Sequence, residues 1–204
     1  MKRKLFFILF LTGLSSGLQI SAQIPEKVED ISPLLNGETI PNAVLIATDG
    51  KSHQISEIVG AKPTVLLFYR GGWCPYCNTH LAEIQEIETE IIELGYQIVA
   101  VSPDSPENLQ ETDEKRNLNY SLYSDADGTF IKGLGIAFKA PERMSDMLSD
   151  RSGGENAGLL PVPSVFIVDT SGKILFEYIN PDYRTRLSAG LLITVLKELK
   201  NSDS

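Results

Sequence analysis

Cysteine is nearly absent: Cys74 and Cys77 are the only two in 204 residues. A small secreted scaffold held by disulfides needs several pairs, so that class is excluded. Histidine is as scarce, with only His53 and His80. A zinc site built on the cysteines would have to draw its nitrogen ligands from those two. Covalent haem attachment needs C-x-x-C-H, and Asn78 stands in the fifth position. Basic residues are outnumbered, 18 Lys+Arg against 27 Asp+Glu, for a net charge of −9. An acidic surface disfavours nucleic acid and anionic membranes and leaves small molecules and other proteins as partners. No internal repeat, low-complexity tract or interdomain linker is visible, and the length suits one domain with a substantial core.

Long apolar runs are also missing, with one exception at the start. MKRK precedes LFFILFLTGL and then SSGLQISAQ. A basic start, a short apolar run and small residues make a signal peptide over residues 1–22, cleaved near Ala22. The run is short for a bilayer span, which needs about 20 apolar residues; an uncleaved anchor is the alternative. No cysteine follows it, which argues against a lipid-anchored form. The expectation is export across the inner membrane to the periplasm, with no membrane association after cleavage. Lys2, Arg3 and Lys4 are the only charges before residue 23, so cleavage takes the net charge from −9 to −12.

Residues 23–36 read as a lead-in, and the text is globular from Gly37. NAVLIATDGKSHQIS alternates around Asp49-Gly50 as a hairpin does. TVLLFY (64–69) and YQIVAVS (96–102) are continuous apolar runs, the mark of strands covered on both faces. Between them Leu81, Ile84, Ile87 and Ile91 give a helical face over 77–94. Ser105 and Pro106 open a second helix. YSLYS (120–124) is a third strand, followed by a turn at Asp125, Asp127 and Gly128 and a short helix near Phe130–Leu134. SVFIVD and KILFEY form a closing hairpin, and a last helix runs over about 188–200. Strands alternating with helices define an α/β fold with parallel strands, to which the hairpins add antiparallel ones. The stretch 140–158 fits neither period and reads as a mobile insertion.

The two cysteines stand as C-x-x-C after a buried strand and at a helix start. A helix N-terminus stabilises a thiolate, and residues three apart on a helix can bond through sulfur. The first cysteine lies at the tip and the second one turn in. The pattern therefore predicts Cys74 as the attacking thiolate and Cys77 as the resolving thiol. Two readings without redox chemistry stand beside it. A structural disulfide would close too short a loop to remove much chain entropy. A half zinc site would require His53 or His80.

FYRGGWCPYC, AVSPDSPENL, LYSDADGTFIKGLGIAF, LPVPSVFIVDTSGKI and NPDYRTR occur in that order. Together they resemble the peroxiredoxin-like branch of the alkyl hydroperoxide reductase/thiol-specific antioxidant (AhpC/TSA) family, in the thioredoxin superfamily, from about Gly37 to Leu196. The resemblance implies a thioredoxin fold, a central mixed sheet flanked by helices with a peroxiredoxin-like N-terminal extension. It splits at the active-site letters. The thioredoxin pattern has a Trp before the nucleophile, which Trp73 matches, and makes Cys74 that nucleophile. The peroxiredoxin pattern, laid on Phe68, puts the peroxide-attacking cysteine at Cys77. It then finds Arg70 in place of a Pro, Cys74 in place of a Thr or Ser, and Pro163 in place of an Arg.

By the same resemblance Pro163 is a cis-proline facing the pair, and Trp73 lies over the sulfurs. Arg70, at the end of a strand beside the helix tip, can lower a thiol pKa. Pro161 reads as loop punctuation, His80 as a solvated helix residue, and Arg184 and Arg186 as surface partners of the abundant acids. The function these residues imply is thiol–disulfide exchange through the Cys74–Cys77 pair, with protein or small-molecule disulfides as substrates. A thioredoxin-like or membrane redox partner would reset the pair, and no bound cofactor is required. A thioredoxin-dependent thiol peroxidase acting on hydrogen or alkyl peroxides is the alternative, and a non-catalytic module holding a metal or a bridge is the third.

Overall fold

The computed structural model describes residues 23–156 and 158–202. The expected signal peptide, residues 1–22, lies outside the described residues. Nine strands and seven helices are described: β1 (Val44–Ala47), β2 (Ser52–Gln54), α1 (Ile55–Ala61), β3 (Thr64–Phe68), α2 (Pro75–Glu86), α3 (Glu88–Glu93), β4 (Gln97–Ser102), α4 (Pro106–Arg116), β5 (Ser121–Ser124), α5 (Thr129–Gly133), β6 (Ala137–Lys139), α6 (Ser145–Arg151), β7 (Leu159–Pro161), β8 (Ser164–Val168), β9 (Ile174–Ile179) and α7 (Ala189–Ser202).

Seven strands form one sheet in the order β2-β1-β5-β4-β3-β8-β9. The central β3, β4 and β5 run parallel, while β1 and β8 join them antiparallel. The unbroken apolar letters of β3 and β4 have a simple cause. Val65 and Leu67, with Ile98 and Ala100, face one cluster with Leu81, Ile84 and Leu192. Leu66 and Phe68, with Val99 and Val101, face the other with Ile55, Phe130 and Ile131. Both faces are covered, so alternation has no polar side to show.

The helical pattern expected over 77–94 is two helices. The chain leaves helical geometry at Ile87 (φ −108°, ψ 7°). Ile91 still packs on the same side as Leu81 and Ile84, so the periodicity passes through the break. The hairpin at 44–54, the strands and the closing hairpin fall where the patterns put them. The stretch 140–158, expected to be mobile, holds a 3-10 turn over Glu142–Met144 and α6. Leu148 is buried in a third cluster with Phe138, Leu160 and Val162, against which Trp73 packs. Pro161 is not loop punctuation: it closes β7 and pairs with Ala137 of β6.

Candidate active site

Chain geometry brings the two cysteines to the sheet's end. β3 ends at Phe68, and Tyr69 stays tied to the sheet through its amide on the Val101 carbonyl (3.1 Å). Gly71 (φ +137°) and Gly72 then turn the chain toward α2. A Cβ on Gly72 would overlap the Thr112 hydroxyl, and one on Gly71 would meet Asp104 and the Trp73 ring. The G-G of the motif is thus a packing requirement. The loop is pinned from three sides. The Gly72 amide donates to Asp104 Oδ2 (2.7 Å), Asn78 Nδ2 donates to the Gly72 carbonyl (2.8 Å), and the Cys74 amide donates to the Gly71 carbonyl (3.1 Å).

Cys74 caps the start of α2, Pro75 follows at its first turn, and Cys77 lies one turn in. Both thiols are free, and each residue is 1% exposed. The Cys77 thiol, donating toward the Cys74 sulfur, lowers the Cys74 pKa to about 6. Burial opposes this shift, whereas the Cys77 amide and the charges of Arg70 and Arg186 reinforce it. Cys77 is pushed up by the same hydrogen bond and by burial. At neutral pH the pair therefore holds one thiolate, on Cys74, and one thiol, on Cys77.

The charges of two guanidinium groups act on the pair. Arg70 stacks between Trp73 and Tyr183, at 5.0 and 4.5 Å from the ring centroids. Arg186 Nη2 donates to Cys77 Sγ at 3.6 Å. The sequence reading of Arg184 and Arg186 as a surface pair holds for one residue only. Arg184 folds back on Asp182 (3.0 Å), while Arg186, two residues on and next to the buried Leu187, turns inward. Nothing in the letters separates the two, since residues two apart share a side of an extended chain; they part because the chain turns here, with the Thr185 amide donating to the Asp182 carbonyl (2.9 Å).

Two further expectations are corrected. His80 is not a solvated histidine but 8% exposed, and burial is the first cause lowering its pKa to about 4, so it stays neutral. A site three residues past Cys77 shares the inward face of α2, which explains the burial. The peptide bond before Pro163 is not cis, since the described residues contain no cis bond. Val162 is held by its amide on the Ile136 carbonyl (2.8 Å) and β8 begins at Ser164, so the chain runs on from strand to strand. Pro163 is buried and lines a cavity with Arg70 and Tyr183. Trp73 packs against the cluster containing both cysteines.

The site holds a concentration of unpartnered polar atoms. Tyr69 Oη, Arg70 Nε, Trp73 Nε1, Asn78 Oδ1 and His80 Nε2 are buried with no hydrogen-bond partner among the described residues. Orphaned polar atoms are uncommon in folded proteins, and these lie within the segment that carries the thiols. His53, by contrast, packs on Tyr123 (5.8 Å between ring centroids) at the β1–β2 edge. No cluster of three or more His, Cys, Asp or Glu side chains suited to a metal occurs among the described residues.

A central mixed sheet flanked by helices, with a thiol pair at the helix start after the interior strand β3, defines a thioredoxin-fold thiol protein. The chain belongs to the AhpC/TSA family, whose profile matches residues 36–176. It is similar to peroxiredoxin Bcp of Escherichia coli, with 25% identity over 170 residues, covering 82% of this chain and 99% of that one. Peroxiredoxin Bcp of Bacillus subtilis is 27% identical over 142 residues, covering 70% and 83%. Among solved structures, reduced Prx3 from Vibrio vulnificus in complex with H2O2 superposes with a TM-score of 0.69 at 21% identity, covering 80% and 99%. Peroxidoxin BcpB from Mycobacterium tuberculosis does so with a TM-score of 0.64 at 22% identity, covering 80% and 97%. These structural likenesses concern the fold. The relatives' names favour peroxide chemistry over the disulfide exchange expected first from the C-x-x-C letters.

Proposed function

We propose that the protein is a thiol peroxidase that reduces peroxides through the Cys74–Cys77 pair. The observation that carries this reading is the burial of a low-pKa thiolate, with Cys74 and Cys77 each 1% exposed. A folded protein's disulfide must bring its sulfur in line with the attacking one, and a loop this closed resists that approach. A peroxide is small enough to enter. The family and the peroxiredoxin relatives support the same choice.

The chemistry follows from the protonation states. The Cys74 thiolate attacks the terminal peroxide oxygen, an S–O bond forms and the O–O bond breaks. The departing alkoxide takes a proton and leaves as an alcohol, or as water from hydrogen peroxide. Cys74 is now a sulfenic acid, oxidised by two electrons. The Cys77 sulfur attacks it, the S–S bond forms, and hydroxide leaves with the Cys77 proton as water. A dithiol donor of the thioredoxin class then returns two electrons to the disulfide.

Charge builds on the departing oxygen, and groups aimed there beforehand lower the barrier. Arg186 brings a guanidinium to the pair, although the position expected for it is Pro163. Arg70 supplies a second charge, and the unpartnered N–H groups of Arg70 and Trp73 supply donors.

The test is hydrogen peroxide added to reduced Cys77→Ser and Cys74→Ser proteins, with a sulfenic-acid probe and mass spectrometry. Cys77→Ser is expected to accumulate label on Cys74, and Cys74→Ser to react slowly. Label accumulating on Cys77 of Cys74→Ser would transfer the attacking role to Cys77, the cysteine that Arg186 touches. Export to the periplasm completes the proposal and rests on MKRKLFFILFLTGL. N-terminal sequencing of the exported protein checks it, with a start near Gln23 expected.

A further inference from the structure

Methionine is scarce in this chain, with three in 204 residues. Met1 falls in the expected signal peptide, so the mature protein keeps two, Met144 and Met147. Both are half-buried and pack against the third cluster, as Trp73 does. Met144, and not Met147, also lines the cavity of about 240 Å³ beside Arg70, with Phe138, Val162 and Tyr183.

One contact sets Met144 apart. Arg70 Nη2 donates to Met144 Sδ at 3.9 Å, the one hydrogen bond of the Arg70 side chain among the described residues. Arg70 has no carboxylate partner there, and its Nε is buried without an acceptor. A permanent cation, held by stacking on Trp73 and Tyr183, thus rests on a weak acceptor. Its charge also reaches the neighbouring sulfur. After the Cys77 thiol and amide, Arg70 is the next cause that holds the Cys74 pKa down.

A thioether is itself a target for peroxide. The sulfur attacks one peroxide oxygen, an S–O bond forms and the O–O bond breaks. The other oxygen takes the proton of the attacked one and leaves as water, or as an alcohol from an alkyl hydroperoxide. Methionine has then lost two electrons and become the sulfoxide. Its new oxygen is polar and partly negative, and a guanidinium binds such an acceptor far more strongly than a thioether.

We infer that Met144 is an oxidation site that damps the peroxidase: excess peroxide converts it to the sulfoxide, which engages Arg70 and withdraws its charge and N–H groups from the reacting sulfur. This inference rests on the peroxidase reading for the role of Arg70 at the departing oxygen. Reduction of the sulfoxide would restore the site, so the damping is reversible.

For the experiment, the full-length mature protein is first closed as its Cys74–Cys77 disulfide, which shields both thiols. It is treated with excess hydrogen peroxide, and the disulfide is reopened with dithiothreitol, which leaves a sulfoxide in place. Peptide mapping should find one added oxygen on Met144 ahead of Met147. The peroxide rate constant should fall about tenfold, less than the ~100-fold or more that outright removal of a donor to the developing charge costs. The midpoint of Cys74 alkylation against pH should rise. Methionine sulfoxide reductases of both epimer specificities should reverse both changes. Met144→Leu, close in volume, should come through the treatment with its own untreated rate and midpoint. Oxidation of Met147 with Met144 spared, or a Met144 sulfoxide with either the rate or the midpoint unchanged, would overturn the inference and leave the peroxidase reading standing. So would an equal loss of rate in treated Met144→Leu. An untreated protein inert to peroxide would instead overturn that reading, and the damping with it.

Discussion

At the scale of single residues, the site turns on which sulfur holds the negative charge. With the Cys74 pKa near 6, most of this sulfur is thiolate at neutral pH. The rate of Cys74 alkylation should therefore rise through a midpoint near pH 6 and level off by about pH 7.5, where a free thiol of pKa about 8.5 is still climbing. Peptide mapping after iodoacetamide treatment across that range checks both the midpoint and the residue. A midpoint at or above 8.5 would contradict the assignment. Arg186→Gln removes the charge at 3.6 Å from Cys77 Sγ. It should slow peroxide reduction roughly tenfold or more, in line with the loss of a donor aimed at developing charge, and raise the Cys74 midpoint. The placement of the cysteine pair was legible in the letters, because C-x-x-C after a buried strand and before a helical pattern sets Cys74 at the helix start and Cys77 one turn in. The role of Arg186 was not. It depends on how the chain after β9 folds back on α2, a contact between residues 109 apart, and no local pattern encodes that.

Among the elements, α6 and the loop before Cys74 form one unit. The Arg151 carbonyl at the end of α6 accepts from the Ser105 amide and from Asn108 Nδ2, both at 2.8 Å. The Arg151 side chain lies 3.6 Å from Asp104, whose other oxygen takes the Gly72 amide. Asp104→Ala should cost about 1–3 kcal/mol, the penalty of leaving a buried donor unpaired. Urea unfolding followed by Trp73 fluorescence measures it. The same variant should alkylate faster at Cys74, because the loop that covers the thiol loses its anchor. Gly72→Ala should also destabilise by about 1–3 kcal/mol, through overpacking against Thr112. Elements with a strong apolar signal were readable in advance, the unbroken runs of β3 and β4 above all. Three-residue β6 and β7 were not, since a strand that short carries no period to detect and here owes its form to mutual pairing. The seven-residue α1 escaped for the same reason, and α6 was hidden because Leu148 is its only buried residue.

For the molecule as a whole, the fold closes the reactive end of the sheet with structure drawn from the full length of the described chain. The lead-in contributes Val28, the segment 140–158 contributes Met144, and the chain after β9 contributes Tyr183 to the wall beside Arg70. A thioredoxin-type motif is thus set in a closed pocket, and this closure argues for a small oxidant. The sequence resemblance to AhpC/TSA proteins was enough to anticipate the sheet and its helices. It did not decide between disulfide exchange and peroxide reduction, because the deciding quantity is the exposure of two sulfur atoms. The most direct measurement of that choice is stopped-flow oxidation of the reduced protein, followed by Trp73 fluorescence, with hydrogen peroxide and with an oxidised thioredoxin-class protein in parallel. The account predicts a peroxide rate constant several orders of magnitude above that of a free thiol and well above that for the protein disulfide. A peroxide rate no greater than a free thiol's, alongside rapid exchange with the protein disulfide, would contradict it.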